Sequence, residues 1–391
     1  MKKRYIFFRG LIATLDLYTD EFVRIYMQQG AECLVLDACH MEDEMVRLKA
    51  FLLEKVTAVI SMNNIGMHLE FEQEQNIWDQ FQIPFYNIMM DHPFHYKKAL
   101  DHAPEQMILL CMDENHVQYA ERFFPNIRQV KFFPHAGIEL ADFTPKVPIA
   151  ERKIDVLYAG GLARYAAEGL VPDLGKIKEF DAFELVHRAL ERLIQEPELT
   201  TEYVIEQCLK DINFKYNNIE LGGIISELRF LDSFAVSFYR EQAVRTLAES
   251  GITVTIFGAG WDRCEWEHEN IVYGGELPPV QILALMNQSK IVLNTMTWFK
   301  RGAHDRIFNG MLAGAAVVSD TSQYMQEHFT SGSQLQLFSL KNLNEMSRRV
   351  RYLLENTDEV QCMADCGYQS ALEHHMWKNR LEELMAPVMK Q

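Results

Sequence analysis

The most informative stretch of the chain is Gly302-Ala-His-Asp-Arg-Ile-Phe-Asn-Gly-Met-Leu-Ala-Gly-Ala-Ala-Val-Val-Ser-Asp320, which reads as a polar loop, a short helix and a buried strand. The first turn of a helix leaves backbone N–H groups without partners and carries roughly half a positive charge, so it attracts a phosphate group. His304 and Arg306 stand at this end of the predicted helix, where they would strengthen the field. The stretch therefore predicts an anion site, and tight packing of a βα unit for structural reasons alone is the alternative.

Short apolar runs alternate with amphipathic segments through most of the chain. This alternation is typical of a parallel sheet with helices on both faces, whose ligand sites lie at the carboxyl ends of the strands. A helix is expected near Met67–Phe81, and the helix of the opening stretch is expected to carry Gly310 and Gly314 on one face. The predicted strands are Tyr5–Phe8, Ala31–Asp37, Val56–Met62, Pro84–Met90, Gln106–Met112, Arg128–Phe133, Lys153–Ala159, Thr253–Phe257, Ile271–Tyr273, Lys290–Asn294 and Ala315–Ser319.

The alternation is interrupted at residues 144–153, a polar segment that contains two prolines. Such segments are typical of domain boundaries. We therefore expect a Rossmann-like N-terminal domain over residues 1–145, a second Rossmann-like domain over residues 153–370, and a closing helix over residues 371–391 that packs back across the domains. Residues 164–236 show helical periodicity without strands, which predicts a helical insertion in the second domain.

Charge and cysteine content narrow the class of protein. The 38 basic and 55 acidic residues give a formal charge of -17, which disfavours nucleic-acid partners and anionic membrane surfaces. The seven cysteines include no C-x-x-C pair, which favours reduced thiols over a disulfide framework or a zinc site. No apolar run reaches the length of about eighteen residues that a membrane helix needs, so we expect a cytoplasmic protein with no transmembrane segment.

Glycine loops follow the first two strands of the second domain: Gly160-Gly161 and Gly258-Ala-Gly260-Trp261. Together with Phe133-Pro-His-Ala-Gly-Ile138, Asn294 and the run Gly302-Ala-His-x-Arg306 followed by Asn309 and Gly314, they resemble the GT-B glycosyltransferases. The pattern is most similar to the CgeB-like branch, which is related to spore proteins. The resemblance covers residues 153–330 well and the first domain in outline.

The resemblance implies an α/β protein with two doubly wound domains that face a cleft. It implies transfer of a sugar from a nucleotide-diphosphate donor, with a UDP-sugar favoured, to a hydroxyl group of a protein, a glycan or a small molecule. The diphosphate would lie over the helix that begins near Asp305, where Arg306 and His304 would neutralise it. No D-x-D spacing occurs in the chain, so we expect a metal-independent enzyme without a cofactor.

Two positions depart from the retaining members of this fold. The glutamates of their E-x7-E motif would fall at Arg301 and Asn309 of this chain. The second of these glutamates binds the ribose hydroxyls, and an amide can still do so as a donor or an acceptor. The stereochemical course of the transfer therefore stays open.

The nucleobase is expected at Tyr273-Gly-Gly-Glu-Leu277, where the glycines would allow close approach of a ligand, although a simple turn explains this segment equally well. Trp261 would either stack on a ring of the ligand or plug the end of the sheet. The expected donor site comprises Gly160, Gly161, Gly258, Gly260, Trp261, Tyr273, Gly274, Gly275, Leu277, Asn294, Gly302, Ala303, His304, Asp305, Arg306 and Asn309.

The acceptor side is predicted from Met90-Asp-His-Pro93, which follows a strongly apolar strand. A carboxylate or an imidazole there can remove the proton of the acceptor hydroxyl, so Asp91 and His92 are the candidate catalytic residues. His95, His135 and Asp16 are secondary candidates. For each of these residues, a hydrogen-bonded turn is the structural alternative.

Two other functions stay open. A nucleotide-sugar 2-epimerase of the same fold would need carboxylates around the sugar, and the missing glutamates at positions 301 and 309 count against it. A non-enzymatic protein with two sugar-binding lobes is the second alternative. It should respond to a free monosaccharide, whereas a glycosyltransferase should respond to a nucleoside diphosphate.

Overall fold

The computed structural model describes residues 2–71, 75–139, 147–296 and 298–385. The chain divides into two compact units, one comprising Met1–Pro134 with Trp377–Gln391 and the other His135–Met376. This division lies ahead of the proline-bearing segment that was expected to mark the boundary. Residues 140–146 of that region lie outside the described residues.

The first unit contains one six-stranded sheet in which every neighbouring pair of strands is parallel, in the order β2-β1-β3-β4-β5-β6. The central strands form because their runs of β-branched and aromatic residues are buried on both faces, as parallel sheets require. The elements are β1 (Arg4–Arg9), α1 (Ala13–Gln28), β2 (Glu32–Asp37), α2 (Met41–Phe51), β3 (Ala58–Met62), α3 (Ile77–Gln80), β4 (Phe85–Met89), α4 (Lys97–Leu100), β5 (Met107–Cys111), α5 (Glu114–Phe123) and β6 (Gln129–Phe132).

The prediction of a helix near Met67–Phe81 is wrong over much of that segment. Residues 63–68 form turns instead, and within the described part of the segment only Ile77–Gln80 is helical. Asn63 and Asn64 adopt left-handed backbone angles, with φ of 46° and 65°. Their side chains bond the end of the neighbouring strand, which holds the chain in a turn: Oδ1 of Asn64 accepts from Nδ2 of Asn87 at 2.6 Å, and Oδ1 of Asn63 accepts from the N–H of Met90 at 2.8 Å.

The second unit contains another six-stranded parallel sheet, in the order β12-β11-β10-β7-β8-β9. The prediction of two Rossmann-like units is confirmed. The elements are β7 (Ile154–Ala159), α6 (Arg164–Ala167), α7 (Ala182–Gln195), α8 (Thr201–Asp211), α9 (Asn218–Glu227), α10 (Phe230–Glu249), β8 (Val254–Phe257), β9 (Ile271–Tyr273), α11 (Pro279–Asn287), β10 (Ser289–Asn294), α12 (Asp305–Leu312), β11 (Ala316–Asp320), α13 (Gln323–His328), β12 (Gln336–Phe338), α14 (Leu343–Glu355) and α15 (Thr357–His374).

The predicted helical insertion is present as α6 to α9, between β7 and the crossover helix α10. The chain then fills the sheet on one side of β7 with β8 and β9, and returns to fill the other side with β10, β11 and β12. The strand order therefore reverses between β7 and β10. In doubly wound sheets, the crevice at the carboxyl ends of two such strands is the usual ligand site.

Helix α12 is shorter than the sequence suggested. It ends at Leu312, and Gly314 lies beyond it with a φ of 69°. The N–H of Gly314 bonds the carbonyl of Met311, and the N–H of Ala315 bonds the carbonyl of Gly310, so Gly314 terminates the helix rather than lying on its face.

The last helix, α16 (Trp377–Met385), belongs to the first unit. Trp377 is fully buried, and its ring lies 5.1 Å from that of Phe22 and 5.3 Å from that of Tyr18, both in α1. This aromatic packing ties the end of the chain to the beginning of the first unit. None of the helices in the described ranges is long and apolar enough to traverse a lipid bilayer.

Candidate functional site

The predicted donor residues gather at one edge of the second sheet. Gly160 follows β7, Gly258 follows β8, and Asn294 ends β10. These strands are adjacent in the order β10-β7-β8, so their carboxyl ends meet at the point where the strand order reverses. The N-terminus of α12 carries Arg306 to the same place, because Arg306 contacts Asn294 directly.

Arg306 is the second residue of α12 and is only 6% exposed. Its Nη1 donates a hydrogen bond to Oδ1 of Asn294 at 2.6 Å. Its guanidinium carbon lies 5.5 Å from the centre of the Tyr158 ring in β7. Among the described residues, the other N–H groups of Arg306 have no hydrogen-bond partner, so they are available to a ligand.

Arg240 is a second buried arginine at this edge, and it was not among the residues predicted from the sequence. It lies in the middle of α10 with 7% exposure, and its Nη1 donates to the carbonyl of Gly161. Its guanidinium carbon lies 4.8 Å above the ring of Trp298. The signal in the sequence was a cation on the apolar face of α10, since Arg240 shares its face with the buried residues Val236 and Val244.

The two arginines share one environment without a direct ion pair, although the carboxyl groups of Asp232 and Asp320 act on Arg240 at longer range. Neither forms an ion pair within the part of the chain that the structure describes, and Nε of Arg240 is buried there without a hydrogen-bond partner. Burial lowers the pKa of Arg240, and the positive charge of Arg306 acts in the same direction. A buried cation without a counter-ion is unfavourable, so this arrangement favours binding of an anion.

His304 precedes α12 and does not provide the positive charge that the sequence analysis expected. Burial, followed by the charge of Arg306, lowers its pKa to about 4, so the imidazole is neutral at pH 7. Its Nδ1 lies 3.2 Å from the backbone nitrogen of Arg306 and 2.6 Å from Oδ1 of Asp305. Its ring stacks on that of His135 with centroids 6.1 Å apart. The second cation of the site is therefore Arg240.

Asn309 was expected to bind ribose, but its amide is already engaged. Its Oδ1 accepts a hydrogen bond from the N–H of Ile138 at 2.9 Å, and its Nδ2 donates to Oδ2 of Asp305 at 3.1 Å. Asn309 is 5% exposed. It therefore ties the segment before residue 139 to α12, and this position differs from the ribose-binding glutamate that the resemblance implied.

The loop before α12 is held by the side chains of Asp320, the last residue of β11, and Ser322. The carbonyl of Gly302 accepts a hydrogen bond from Oγ of Ser322 at 2.6 Å, and Ala303 is fully buried. Oδ1 of Asp320 accepts from the N–H of Met296 at 2.8 Å. Burial raises the pKa of Asp320 to about 7. These bonds fix the loop that delivers His304 and Arg306.

The glycines of the two loops have a structural explanation. Gly258 has a φ of 135°, and a Cβ on it would lie 2.6 Å from the backbone nitrogen of Gly161. A Cβ on Gly161 would lie 2.8 Å from the carbonyl oxygen of Ala259, and one on Gly260 would meet Tyr165. The loops after β7 and β8 therefore need glycine in order to pack against each other.

Trp261 plugs the end of the sheet, which was one of the two alternatives for this residue. It is 8% exposed, and its Nε1 donates to the carbonyl of Gly160 at 2.8 Å. Its ring meets that of Tyr158 edge-on at 5.9 Å. Trp261 therefore packs against Gly160 and Tyr158, the residues next to the arginine pair.

The segment after β9 is more open. Tyr273 is 40% exposed, and its hydroxyl donates to the carbonyl of Gly258 at 3.1 Å. Gly274 packs so closely on the ring of Phe257 that a Cβ would overlap it, whereas Gly275 has open space around it and Leu277 is half-buried. The N–H of Gly274 bonds the carbonyl of Ile256, and the carbonyl of Gly275 accepts from the N–H of Gly258, so this segment is held beside the glycine loops.

In the first unit, Asp91 lies two residues beyond the end of β4 and is exposed. Its Oδ2 accepts hydrogen bonds from Nδ2 of Asn63 at 2.9 Å and from the hydroxyl of Tyr96 at 2.8 Å. Among the described residues, Oδ1 has no partner. The carboxylate is therefore held through one oxygen and presents the other to solvent.

His92, the second candidate base, is buried and has a capping role. Its Nδ1 accepts from the N–H of Phe94 at 3.2 Å, and its ring stacks on that of Phe94 with centroids 3.8 Å apart. Burial lowers its pKa well below the usual value. His95 packs against Phe94 in turn, with ring centroids 4.6 Å apart. The geometry thus supports Asp91 more strongly than either histidine.

The other secondary candidates also have structural partners. Oδ1 of Asp16 accepts from the N–H of Gly10 at 2.8 Å, which holds the turn after β1. His135 is 5% exposed and meets the ring of Phe299 edge-on at 5.6 Å. Within the described ranges, no three His, Cys, Asp or Glu side chains are grouped so that they could hold a metal ion.

Comparison with known proteins finds a family match over most of the second unit from α10 onward and over the last helix, α16. Residues 240–386 match the family described as Glycosyl transferase-like, which is less than half of the chain. The matched segment includes both arginines of the candidate site. Among curated proteins, none is significantly similar to this chain in sequence.

Solved structures share the fold over the whole chain. Sucrose-phosphate synthase from Thermosynechococcus elongatus is 9% identical, with 100% of this chain and 99% of that chain covered and a TM-score of 0.51. An alpha-glucosyltransferase in complex with UDP and a 13-mer DNA containing a HMU base is 10% identical, with 100% of both chains covered and a TM-score of 0.55. An alpha-glucosyltransferase with UDP-glucose and DNA containing an abasic site is also 10% identical over 100% of both chains, with a TM-score of 0.54. At these identities the likeness shows the GT-B fold, and with the family match it supports an enzyme of GT-B type.

Proposed function

We propose that this protein is a glycosyltransferase that moves a sugar from a nucleoside-diphosphate donor to a hydroxyl group of an acceptor. The observation that carries the proposal is the pair of buried guanidinium groups of Arg240 and Arg306, which have no carboxylate partner in the described chain. A diphosphate would supply the missing counter-charge. The match to the Glycosyl transferase-like family supports the same reaction class.

In the proposed reaction, the bond between the anomeric carbon and the oxygen of the β-phosphate breaks, and a bond to the acceptor oxygen forms. Negative charge develops on the departing nucleoside diphosphate. Arg306, Arg240 and the positive end of the α12 dipole are fixed before the reaction, so they would stabilise that charge without reorganising. We propose that these groups replace a metal ion in the transfer and that no cofactor is required.

We propose Asp91 as the group that takes the proton of the acceptor hydroxyl. Asn63 and Tyr96 hold one of its oxygens, and the other is open to solvent. A carboxylate fixed in this way can accept a proton while its position stays constant. His92 lacks this freedom because its ring is enclosed by Phe94, His116 and Tyr119.

We propose a UDP-sugar as the donor, with the nucleobase on the segment Tyr273–Leu277. The solved alpha-glucosyltransferase structures of the same fold contain UDP or UDP-glucose. The acceptor class comprises a protein, a glycan or a small molecule. Those structures also contain DNA, whereas the charge of -17 argues against a nucleic-acid acceptor for this chain. A CgeB-like, cytoplasmic enzyme is our proposal for the finer family and location.

Calorimetric titration of the full chain with UDP, GDP, dTDP and free hexoses tests the proposal. We expect a nucleoside diphosphate to bind and free hexoses not to bind. At a hundred times its dissociation constant, the nucleotide should stabilise the fold by about 2.7 kcal/mol. Binding of free hexose alone would favour a sugar-binding protein instead.

A product assay separates the glycosyltransferase from the 2-epimerase. Incubation with a UDP-sugar and an acceptor should release UDP in proportion to the new glycoside. Formation of a 2-epimer or a glycal without an acceptor would contradict the proposal and assign the chain to the other reaction class.

A further inference from the structure

The guanidinium of Arg306 is held by a neutral acceptor, the side-chain amide of Asn294. Asn294 is the last residue of β10 and is fully buried, and its Oδ1 accepts the hydrogen bond from Nη1 of Arg306 at 2.6 Å. A guanidinium group has only donors, so an amide can bind it only through its oxygen. The orientation of the Asn294 amide therefore decides whether Arg306 has a partner at this point.

Ser319 of β11 fixes that orientation. Asn294 and Ser319 are partners in the parallel pairing of β10 with β11. Nδ2 of Asn294 donates to Oγ of Ser319 at 2.9 Å, and Oγ of Ser319 donates in turn to the backbone carbonyl of Asp320 at 2.9 Å. Because the proton of the Ser319 hydroxyl is engaged by that carbonyl, its oxygen faces Asn294 as an acceptor. A rotated amide would place its NH2 group against the guanidinium and its oxygen against the hydroxyl oxygen.

These hydrogen bonds are buried and share one direction from donor to acceptor. Asn294 and Ser319 are 0% exposed, and Arg306 is 6% exposed. Hydrogen bonds arranged in such a chain polarise one another, which strengthens each of them. A second contact of Arg306 is fixed in a similar way, since the hydroxyl of Tyr158, whose ring lies 5.5 Å from the guanidinium carbon, is 3.0 Å from Oγ1 of Thr295. The guanidinium is therefore held in place before a ligand binds.

The neutrality of Asn294 matters as much as its position. A carboxylate at this place would bind the guanidinium more strongly, and it would also neutralise the charge. The amide holds Arg306 and leaves its positive charge uncompensated at this contact. The other N–H groups of Arg306 have no hydrogen-bond partner among the described residues. This combination suits an arginine whose counter-ion is a ligand and not a side chain of the protein.

We propose that Asn294, oriented by Ser319, is a positioning residue that holds Arg306 ready for the diphosphate without neutralising it. The identity of the anion rests on the proposed function, whereas the orientation of Arg306 follows from the contacts described above. Ser319 has no exposed surface, so it cannot contact a ligand itself. The proposal nevertheless predicts that its hydroxyl contributes to anion affinity.

Calorimetric titration of the full chain with UDP tests the role of this hydroxyl. Ser319→Ala should weaken UDP binding by about tenfold, because the amide of Asn294 loses the acceptor that sets its orientation. Ser319→Thr keeps the hydroxyl and should bind UDP within about threefold of the wild type, even if the added methyl group lowers the denaturation midpoint. Unchanged UDP affinity in Ser319→Ala would overturn the inference. Equal losses of affinity in the two variants would make Ser319 structural and overturn it as well.

Ser289→Ala is the matched control. Ser289 is the first residue of the same strand, is 0% exposed and donates through Oγ to the carbonyl of Leu285 at 2.7 Å. It lies five residues before Asn294, which corresponds to roughly 17 Å along a strand. Loss of this buried hydroxyl should lower the denaturation midpoint, as in Ser319→Ala, and leave UDP affinity unchanged.

Asn294→Asp tests the neutrality of the partner. The new carboxylate should pair with Arg306, so the ligand-free variant should unfold at no lower denaturant concentration than the wild type. UDP binding should fall at least about tenfold although Arg306 keeps its position, because the charge is already compensated. Wild-type affinity for UDP in this variant would show that the neutrality of Asn294 has no role and would overturn the inference.

Titration with inorganic pyrophosphate separates this inference from the proposed function, since pyrophosphate needs the arginines but no nucleobase. If pyrophosphate binds and Ser319→Ala weakens it while UDP does not bind, the donor assignment fails and the inference stands. If UDP binds equally well to Ser319→Ala and the wild type, only the inference fails. If the wild type binds neither compound, both fail.

Discussion

A Cβ atom on Gly160 would lie 2.9 Å from Nη2 of Arg306. The absence of a side chain at position 160 therefore leaves the space in which the guanidinium of Arg306 sits. Arg240 bonds the carbonyl of the next residue, Gly161, so the loop after β7 contacts both cations of the candidate site. The loop after β7 therefore positions both arginines.

Gly160→Ala should displace the guanidinium of Arg306 by the few tenths of an ångström that the new methyl group requires. We expect UDP affinity to fall about tenfold, equivalent to about 1.4 kcal/mol, because a charge-assisted hydrogen bond depends on alignment. Calorimetric titration measures the affinity, and Gly223→Ala is the control. Gly223 lies in α9 with open space around it, so its substitution should raise stability by roughly 0.5–1 kcal/mol. Unchanged UDP affinity in Gly160→Ala would show that this glycine does not contribute to the site.

Arg240→Met and Arg306→Met should each weaken UDP binding by about ten- to a hundredfold, since hydrogen bonds from charged groups contribute roughly 1.5–3 kcal/mol. The ligand-free variants should be as stable as the wild type or more stable, because each removes a buried cation without a counter-ion. Chemical denaturation without ligand and titration with UDP measure the two effects. A large loss of stability with unchanged UDP affinity would make these arginines structural.

Arg152→Met provides the contrast, because Arg152 is a buried arginine with a structural role. It is 4% exposed and donates to the carbonyls of Val147, Met286, Ser289 and Ala313. Burial lowers its pKa to about 10. Its loss should reduce the free energy of unfolding by about 3 kcal/mol, since several buried carbonyls lose their donor. UDP affinity of the folded protein should stay the same.

Asp91→Asn should slow transfer by about a hundredfold or more while UDP affinity stays the same, because the amide cannot accept the acceptor proton. The substitution keeps an oxygen for the bonds from Asn63 and Tyr96. Steady-state kinetics with a saturating UDP-sugar measure the rate. Asp16→Asn serves as the comparison and should leave the rate within about threefold of wild type, since Asp16 bonds the turn at Gly10. Equal rates for Asp91→Asn and wild type would remove Asp91 from the chemistry.

His304 should make the fold sensitive to acid. Its pKa is about 4 in the folded protein, against about 6.5 in an unfolded chain. Between these pH values the unfolded state binds a proton that the folded state does not bind. The free energy of unfolding therefore falls as the pH is lowered from about 6.5 towards 4, by roughly 3 kcal/mol in total. His304→Asn, which keeps a capping side chain, should remove this part of the slope.

Denaturation midpoints between pH 4.5 and 8 measure the effect. Substitution of the exposed His374 by Asn is the control and should leave the slope as it is in the wild type. Identical pH profiles for His304→Asn and wild type would show that His304 is not buried in its neutral form.

Much of the fold follows from local sequence. The apolar runs that become β1, β7 and β10 are predicted to within one or two residues, because a parallel strand buried on both faces must be apolar almost throughout. The short outer strand β12, Gln336–Phe338, was not predicted, since three residues carry too little periodicity. The turn at Asn63 and Asn64 was missed because it is held by side-chain bonds to Met90 and Asn87, at the end of β4 and distant in sequence.

Local sequence is sufficient to predict two Rossmann-like units and a helix that starts just before Arg306 at a strand edge, since hydrophobic period and helix-start signals are local properties. The chemistry of that edge depends on how the chain packs in three dimensions. In the folded chain His304 is buried, so its imidazole is neutral. The amide of Asn309 bonds the N–H of Ile138, and Arg240 of α10 bonds the loop at Gly161. The charge state and the hydrogen-bond partners of a side chain depend on its burial and on neighbours that are distant in the sequence. The order of residues along the chain does not specify them.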